Sequence, residues 1–331
     1  MKLTTILKCI SKRTLLKREV WNVNIRQTTA SRHIREHADL EMAIHNVDLN
    51  TCSVCGSVSH TGLIDVAHMK ASSSFTDDTP LGEINHIFNL LTMCKTCHRK
   101  FDLKRHDKSW SDHQLKVIEV LRQHQERINY IYGDVKYKSP VDLDLMVKFA
   151  NSPFYYEPFF EIGGPLVIKP TGDLYSVSDS ALERYRQQTM EEMTNNNTVN
   201  GSPYFNQRQH AKFEAYRHGM FDDYRCLLCT EKMVCDLSHV NRLCDIPPNT
   251  PMGVVNHIHN LVWLCPNHNH LLDNPPTQKV DEQYKKEYEG FLHGLQTKLL
   301  VHRNKYKQIP IQNSSFSFNA LSFNNWKLIC S

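Results

Sequence analysis

Two sets of residues in this chain have the types and spacing to hold metal. Cys52, Cys55, Cys94 and Cys97 form two C-x-x-C pairs, and the two-residue gap lets both thiolates of a pair point at one tetrahedral ion. Two such pairs make a closed, four-coordinate structural zinc site. Buried free thiols or a redox pair are the other uses of such cysteines. Cys226, Cys229, Cys265 and His268 form a second set with three sulfurs and one imidazole, which is also a complete zinc donor set. Cys235 and Cys244 lie near enough in sequence to replace a ligand, whereas Cys9 and Cys330 have no companion. Zinc ribbons usually separate their knuckles by roughly 15–20 residues. Here the intervals hold 38 residues (56–93) and 35 residues (230–264). Inserts of that length are expected to carry chemistry of their own, and histidines and asparagines collect in and just after them: His68, Asn89 and His98, then His239, Asn260 and Asn269.

The two sets belong to an internal duplication. DDTPLGEINHIFNLLTMC at 77–94 aligns with PNTPMGVVNHIHNLVWLC at 248–265, with nine of eighteen positions identical. The same register pairs Asp65 with Asp236 and His68 with His239. GLIDVAHMK at 62–70 and DLSHVNR at 236–242 read as short strands ending at the histidine. Asn89 or Asn260 then opens an apolar run that leads into the second knuckle and a helix. Each copy is followed by an amphipathic helix. The first is read over 111–132 from a Ser111 start signal and a Leu115, Ile118, Leu121 and Ile128 stripe. The second has Tyr284, Tyr288, Phe291, Leu292, Leu295 and Leu299 at helical spacing. Both stripes read as packing faces. Between the copies lie an aromatic patch (Phe154, Tyr155, Tyr156, Phe159, Phe160), a hairpin around PTGD at 170–173, a capping box at Ser180 and Glu183, and a linker, NNNTVNGSP, at 195–203. The patch suits a small local core or base stacking.

On these residues the sequence resembles the HNH endonuclease family, the ββα-metal nucleases. The pattern is C-x-x-C, a strand ending in histidine, then N-x-x-x-x-C-x-x-C-H, met by Cys52, Cys55, His68, Asn89, Cys94, Cys97 and His98 over about residues 45–106, with a second match over 218–275. The resemblance implies an α+β fold of two zinc-stabilised ββα-metal modules. It implies hydrolysis of DNA phosphodiester bonds, with His68 and His239 as general bases on water and Asn89 and Asn260 supporting their loops. His98 and Asn269 would ligate a catalytic divalent ion, Mg2+ or Mn2+, apart from the structural zinc. Both copies depart from the family where an aspartate often precedes the base histidine: Ala67 and Ser238 stand there. Asp65 and Asp236 lie three residues before the histidines, and strand alternation assigns them to the opposite face, as structural residues. Phe101 and Asp102 match the FD pair of subfamilies that lack the adjacent aspartate, and His270 is a substitute ligand in the second copy. The competing reading is a non-catalytic tandem zinc protein that binds DNA or protein, with His68 a satisfied buried histidine. His86 and His257 suit loop packing or a phosphate contact, and His60, His106, His210, His218 and His259 read as solvated.

The 331-residue length fits two domains with sizeable cores. No run approaches the roughly 18 apolar residues of a membrane span, so a soluble protein is expected. Free cysteines in metal spacing point to a reducing, intracellular compartment. The net charge of +4 conceals an uneven distribution: residues 1–35 carry nine Lys and Arg against Glu19, a balance of +8, leaving −4 for the rest. That segment fits a phosphate-docking arm, a cleaved mitochondrial presequence or a surface helix. The expected organisation is an arm or presequence over 1–40, a first module with its helix over 41–135, and a middle segment with linker over 136–208. A second module with its helix then covers 209–308, followed by a tail over 309–331. Nucleic acid, with DNA favoured, is the expected partner, and two fused modules suit a monomer acting as a pseudo-dimer.

Overall fold

A computed structural model describes residues 27–103, 108–133, 139–151, 166–168, 174–176 and, with short breaks, 211–309. The aromatic patch, the capping box, the 195–203 linker, Cys9, Cys244, Cys330, His106 and His210 lie outside the described residues, as do most of the basic segment and the tail. The chain divides into two compact units, residues 1–155 and 156–331.

The first unit contains α1 (Gln27–Ile44), β1 (Ile64–His68), the short α2 (Leu81–Ile84), β2 (Leu90–Cys94), α3 (Lys95–Asp102), α4 (Lys108–Tyr132) and α5 (Leu143–Ala150). β1 and β2 pair antiparallel, with Asp65 opposite Met93 and His68 opposite Leu90. All five residues of β2 are buried, which explains its mainly apolar run, interrupted only by Thr92: this strand is covered on both faces. Leu91 and Met93 join Val117 and Leu121 of α4 in one cluster, which also holds Cys52, Cys94 and Cys97. Leu90 joins Ala38 and Met42 of α1 and Ile128 of α4 in another. Ile34 of α1 packs with Phe75, Leu81 and Ile84, so Ile34, Ala38 and Met42 form one apolar row at four-residue spacing. α1 therefore crosses the boundary drawn at residue 40 and supplies core side chains to this unit.

The helix after the first copy begins at Lys108, ahead of the expected Ser111. Trp110 is the reason: its ring is 2% exposed and its Nε1 donates to the Leu103 carbonyl at 2.7 Å, holding an extra turn against the core. Its buried seam is Gln114, Val117, Ile118, Leu121 and Ile128, with Leu115 at the margin. Among the described residues no helix is long and apolar enough to cross a membrane.

In the second unit β3 (Leu166–Ile168) and β4 (Leu174–Ser176) pair antiparallel around the PTGD segment, as the turn signal predicted. There follow β5 (Asp236–His239), α6 (Met252–Val255), β6 (Leu261–Leu264), α7 (Pro266–Asp273) and α8 (Glu282–Lys305). β5 pairs antiparallel with β6, and His239 lies opposite Leu261, the position that His68 holds opposite Leu90. Tyr288, Phe291, Leu295 and Leu299 form the buried seam of α8. The architecture is α+β, with small two-stranded sheets and covering helices.

Leu91 lies at the centre of the first core and is fully buried, so Leu91→Ala should cost about 2–5 kcal/mol. Urea unfolding of the metal-loaded chain measures this, with Tyr130→Ala, on a 92% exposed side chain, expected within about 0.5 kcal/mol of the parent.

Candidate active site and metal centres

The first knuckle is a tight turn. Gly56 has φ +73°, a value that favours glycine, and its N–H donates to the Cys52 carbonyl at 2.8 Å while Cys52 N–H donates to Ser57 O at 2.8 Å. Ser53 ties this turn to β2 by a 2.8 Å backbone bond to Thr92 O and a 2.7 Å bond between the two hydroxyls. Cys94 ends β2 and caps α3, accepting from the Cys97 N–H at 3.4 Å. The donor atoms of Cys52, Cys55, Cys94 and Cys97 lie within 4.8 Å of one another, as do those of Cys226, Cys229, Cys265 and His268. Sulfurs around a tetrahedral zinc at ~2.3 Å stand about 3.8 Å apart. The observed Cys55–Cys94 and Cys229–Cys265 separations are 3.9 and 3.6 Å. His268 presents Nδ1 to Cys226 and Cys265 at 3.2 and 3.1 Å. Both donor sets fit zinc in number, chemistry and spacing, and their cysteines are free thiols. Cys235, buried nearby, points its Sγ at the Glu231 carbonyl at 3.1 Å and stands outside the donor set.

His68 is half-buried at the end of β1. Its Nε2 lies 2.6 Å from Asn85 Oδ1, and Asn85 Nδ2 donates to the Ile34 carbonyl at 3.0 Å. A carbonyl can only accept, so this contact fixes which end of the amide is nitrogen. Asn85 Oδ1 therefore faces His68, Nε2 of His68 carries the proton, and Nδ1 keeps its lone pair. Burial lowers the His68 pKa; the Asn85 bond opposes this and the His98 charge adds to it. The ring is thus held neutral and basic at Nδ1 near physiological pH.

Asn89 does different work. It is fully buried; its Oδ1 accepts from Lys70 N–H at 2.7 Å, and its Nδ2 donates to the Ile84 and Lys70 carbonyls at 2.8 and 3.2 Å. It clamps the chain just after His68 to the loop before β2, and does not line an open cleft. Asn260 repeats this with Asn241 N–H at 2.7 Å and Val255 O at 2.8 Å. His239 Nε2 likewise meets Asn256 Oδ1 at 2.6 Å.

His98 projects from α3 with Nδ1 3.4 Å from Asp65 and Nε2 3.4 Å from Asp102. Burial opposes its charge, but bonding to Asp65 and the negative fields of Asp102 and Asp65 outweigh it, so its pKa rises. Asp65 also binds Lys95 Nζ at 2.8 Å. Alternation sets Asp65 off from His68 along β1, and α3, packed against the sheet, brings Lys95 and His98 to it. In the second unit Asn269 takes the place of His98, with Oδ1 accepting from Ser238 Oγ at 2.6 Å and Nδ2 donating to Asp273 at 3.3 Å. His270 Nδ1 contacts Asn274.

His86 and His257 are 2% and 6% exposed and cap the turns that follow them, accepting from Phe88 N–H and His259 N–H; packing is their role. His218 pairs with Glu214 at 3.4 Å, and His259 Nε2 meets the Tyr306 carbonyl at 3.1 Å, so neither is merely solvated. Asn85 and Asn256 were overlooked in the sequence. Their signal was the repeated N-H-I-x-N itself, whose first asparagine lies 17 residues after His68 in one copy and after His239 in the other.

Residues 52–105 match the family model for HNH endonuclease. The match spans the first donor set, His68, Asn85, Asn89 and His98. No curated protein and no solved structure shows a significant match.

Metal analysis of the purified chain should return about two zinc ions, falling to about one in Cys94→Ser and in Cys265→Ser. Disulfides between these cysteines would refute the assignment.

Proposed function

We propose that the chain is a metal-dependent endonuclease that hydrolyses DNA phosphodiester bonds through its first unit. One observation carries this reading: within the segment that matches the HNH endonuclease family, Asn85 holds His68 as the Nε2–H tautomer, leaving Nδ1 to take a proton from the attacking water. His98 stands close enough to act on the charge of His68 and has carboxylates on both sides. Imidazole and carboxylate oxygen are donors suited to Mg2+ or Mn2+, so His98 and Asp65 are the residues to hold such an ion. When bound, a divalent ion polarises the phosphate and stabilises the leaving oxygen. Asn89 keeps the loop after His68 fixed, and the zinc cluster holds α3 in place.

The second unit retains the His239–Asn256 bond but gives its ion position to Asn269, whose amide oxygen already accepts a short bond from Ser238. This favours His68 as the cutting base and the second unit as the one that grips nucleic acid.

Plasmid nicking with Mg2+ or Mn2+ tests the proposal. His68→Ala should lose at least about a hundredfold in rate, and His239→Ala should change binding more than turnover. No cleavage by zinc-loaded, folded protein across ions and substrates would leave the non-catalytic zinc-module reading standing. The base must be neutral and its pKa is lowered, so kcat/KM should fall only on going below about pH 6.5, the ordinary imidazole value. An acid limb centred above pH 7 would exclude His68 as the titrating base.

A further inference from the structure

The Asn85 amide has a third partner. α1 carries, beside its apolar row, His37 and Glu41 at four-residue spacing, a row that His45 continues just past the helix end. These polar side chains are 0%, 3% and 7% exposed, a costly placement unless they are bonded. Asn85 Nδ2, fixed as nitrogen by the Ile34 carbonyl, lies 2.9 Å from His37 Nδ1. His37 Nδ1 must then accept, which puts its proton on Nε2, and Nε2 faces Glu41 Oε1 at 3.6 Å. The two hydrogen bonds run the same way, from His68 Nε2 to Asn85 Oδ1 and from Asn85 Nδ2 to His37 Nδ1, and the Glu41 carboxylate lies at ion-pair distance, 3.6 Å, beyond His37 Nε2.

We infer that His37 and Glu41 are positioning residues for His68, acting through Asn85. A lone asparagine can present either end to a histidine. Here the amide cannot turn without setting its oxygen against the Ile34 carbonyl and against the His37 lone pair, so His68 is locked with Nδ1 as its basic atom. The Glu41 carboxylate keeps His37 in the tautomer this requires, in the way that an outer carboxylate orients a functional imidazole. Neither residue touches substrate, and the inference rests on His68 being the base.

The sequence supports the assignment independently. HADLEMAIH at 37–45 recurs as HAKFEAYRH at 210–218, extending the duplication to the segment before each first knuckle. Glu214, the counterpart of Glu41, is 4% exposed, and His239 in the same unit makes the same 2.6 Å bond to a buried asparagine. Glu214 pairs with His218, the counterpart of His45, at 3.4 Å.

The test has a spectroscopic arm and a kinetic arm on the full zinc-loaded chain. In 15N-histidine spectra of the wild type, assigned through the peaks lost in His68→Gln and His37→Gln, both rings should be Nε2–H tautomers. A proton on Nδ1 of either overturns the inference, whether or not the protein cleaves DNA. In nicking assays Glu41→Gln, which keeps shape and zinc content, should lower kcat roughly ten- to a hundredfold with KM nearly unchanged. His37→Gln, which retains an acceptor for Asn85, should keep more activity than His37→Leu. An unchanged kcat in folded Glu41→Gln overturns the role. Absence of cleavage in the wild type would instead defeat the nuclease reading, and the ring tautomers would still decide the relay.

Discussion

The convergence of four ligand atoms on one point governs the first unit. Cys94 is at once the last residue of β2, the cap of α3 and a member of the donor set. With Cys52 and Cys55 held on a turn that is bonded to β2 through Ser53, the direction and rotation of α3 leave little freedom, because Cys97 must reach the same point. His98 follows Cys97 by one residue, so its ring is placed by the constraint that places the cysteine. A short helix of eight residues would not hold such a geometry by its own propensity. Zinc in this donor set would act on the candidate chemistry from a distance, by fixing the helix that carries His98.

The register of β1 against β2 supplies the other half. His68 lies opposite Leu90, and since side chains alternate along a strand, a slip of one residue would send His68 to the other face. Two buried asparagines guard against different errors. Asn89 uses both ends of its amide on backbone and so fixes where the chain runs. Asn85 uses its amide on one backbone carbonyl and two imidazoles and so fixes which nitrogen of His68 is protonated. A buried amide with an unsatisfied end is costly, which is why each enforces a single arrangement.

Much of this was legible in the sequence because tetrahedral coordination and strand pairing impose fixed spacings. The cysteine pairs, the strands ending at His68 and His239, and the apolar runs after Asn89 and Asn260 all follow local rules. What escaped depends on contacts between elements. Asp65 was assigned by alternation along its own strand, a rule that is silent about a helix leaning over the sheet. Asn85 is one polar residue in a loop until the fold sets Ile34 and His37 beside it. The row Ile34, Ala38 and Met42 was hidden because the basic excess of residues 1–35 dominated the reading of that stretch, and a charge balance carries no periodicity. The start at Ser111 gave way to Trp110, whose burial outweighs a capping preference of about 1 kcal/mol.

The two units separate orientation of the histidine from the side chains beside it. Both hold a histidine at the end of a strand 2.6 Å from a buried asparagine, and both clamp the following loop with a second asparagine. α4 and α8 brace that loop alike, His124 meeting the Ile87 carbonyl at 3.1 Å and His302 the Ile258 carbonyl at 3.3 Å. Divergence falls on two neighbouring positions: Ala67 with His98 in one unit, Ser238 with Asn269 in the other. The serine hydroxyl and the asparagine amide satisfy each other, whereas alanine offers no bond and His98 turns to Asp65 and Asp102. A cation in the second unit would share the Asn269 oxygen with the Ser238 hydroxyl, while in the first it would meet an imidazole whose carboxylate partners are themselves donors for a metal. The scaffold and the histidine clamp are common to both units, while the side chains beside them differ at that pair of positions and at Lys95, which binds Asp65 in the first unit and is replaced by Pro266 in the second.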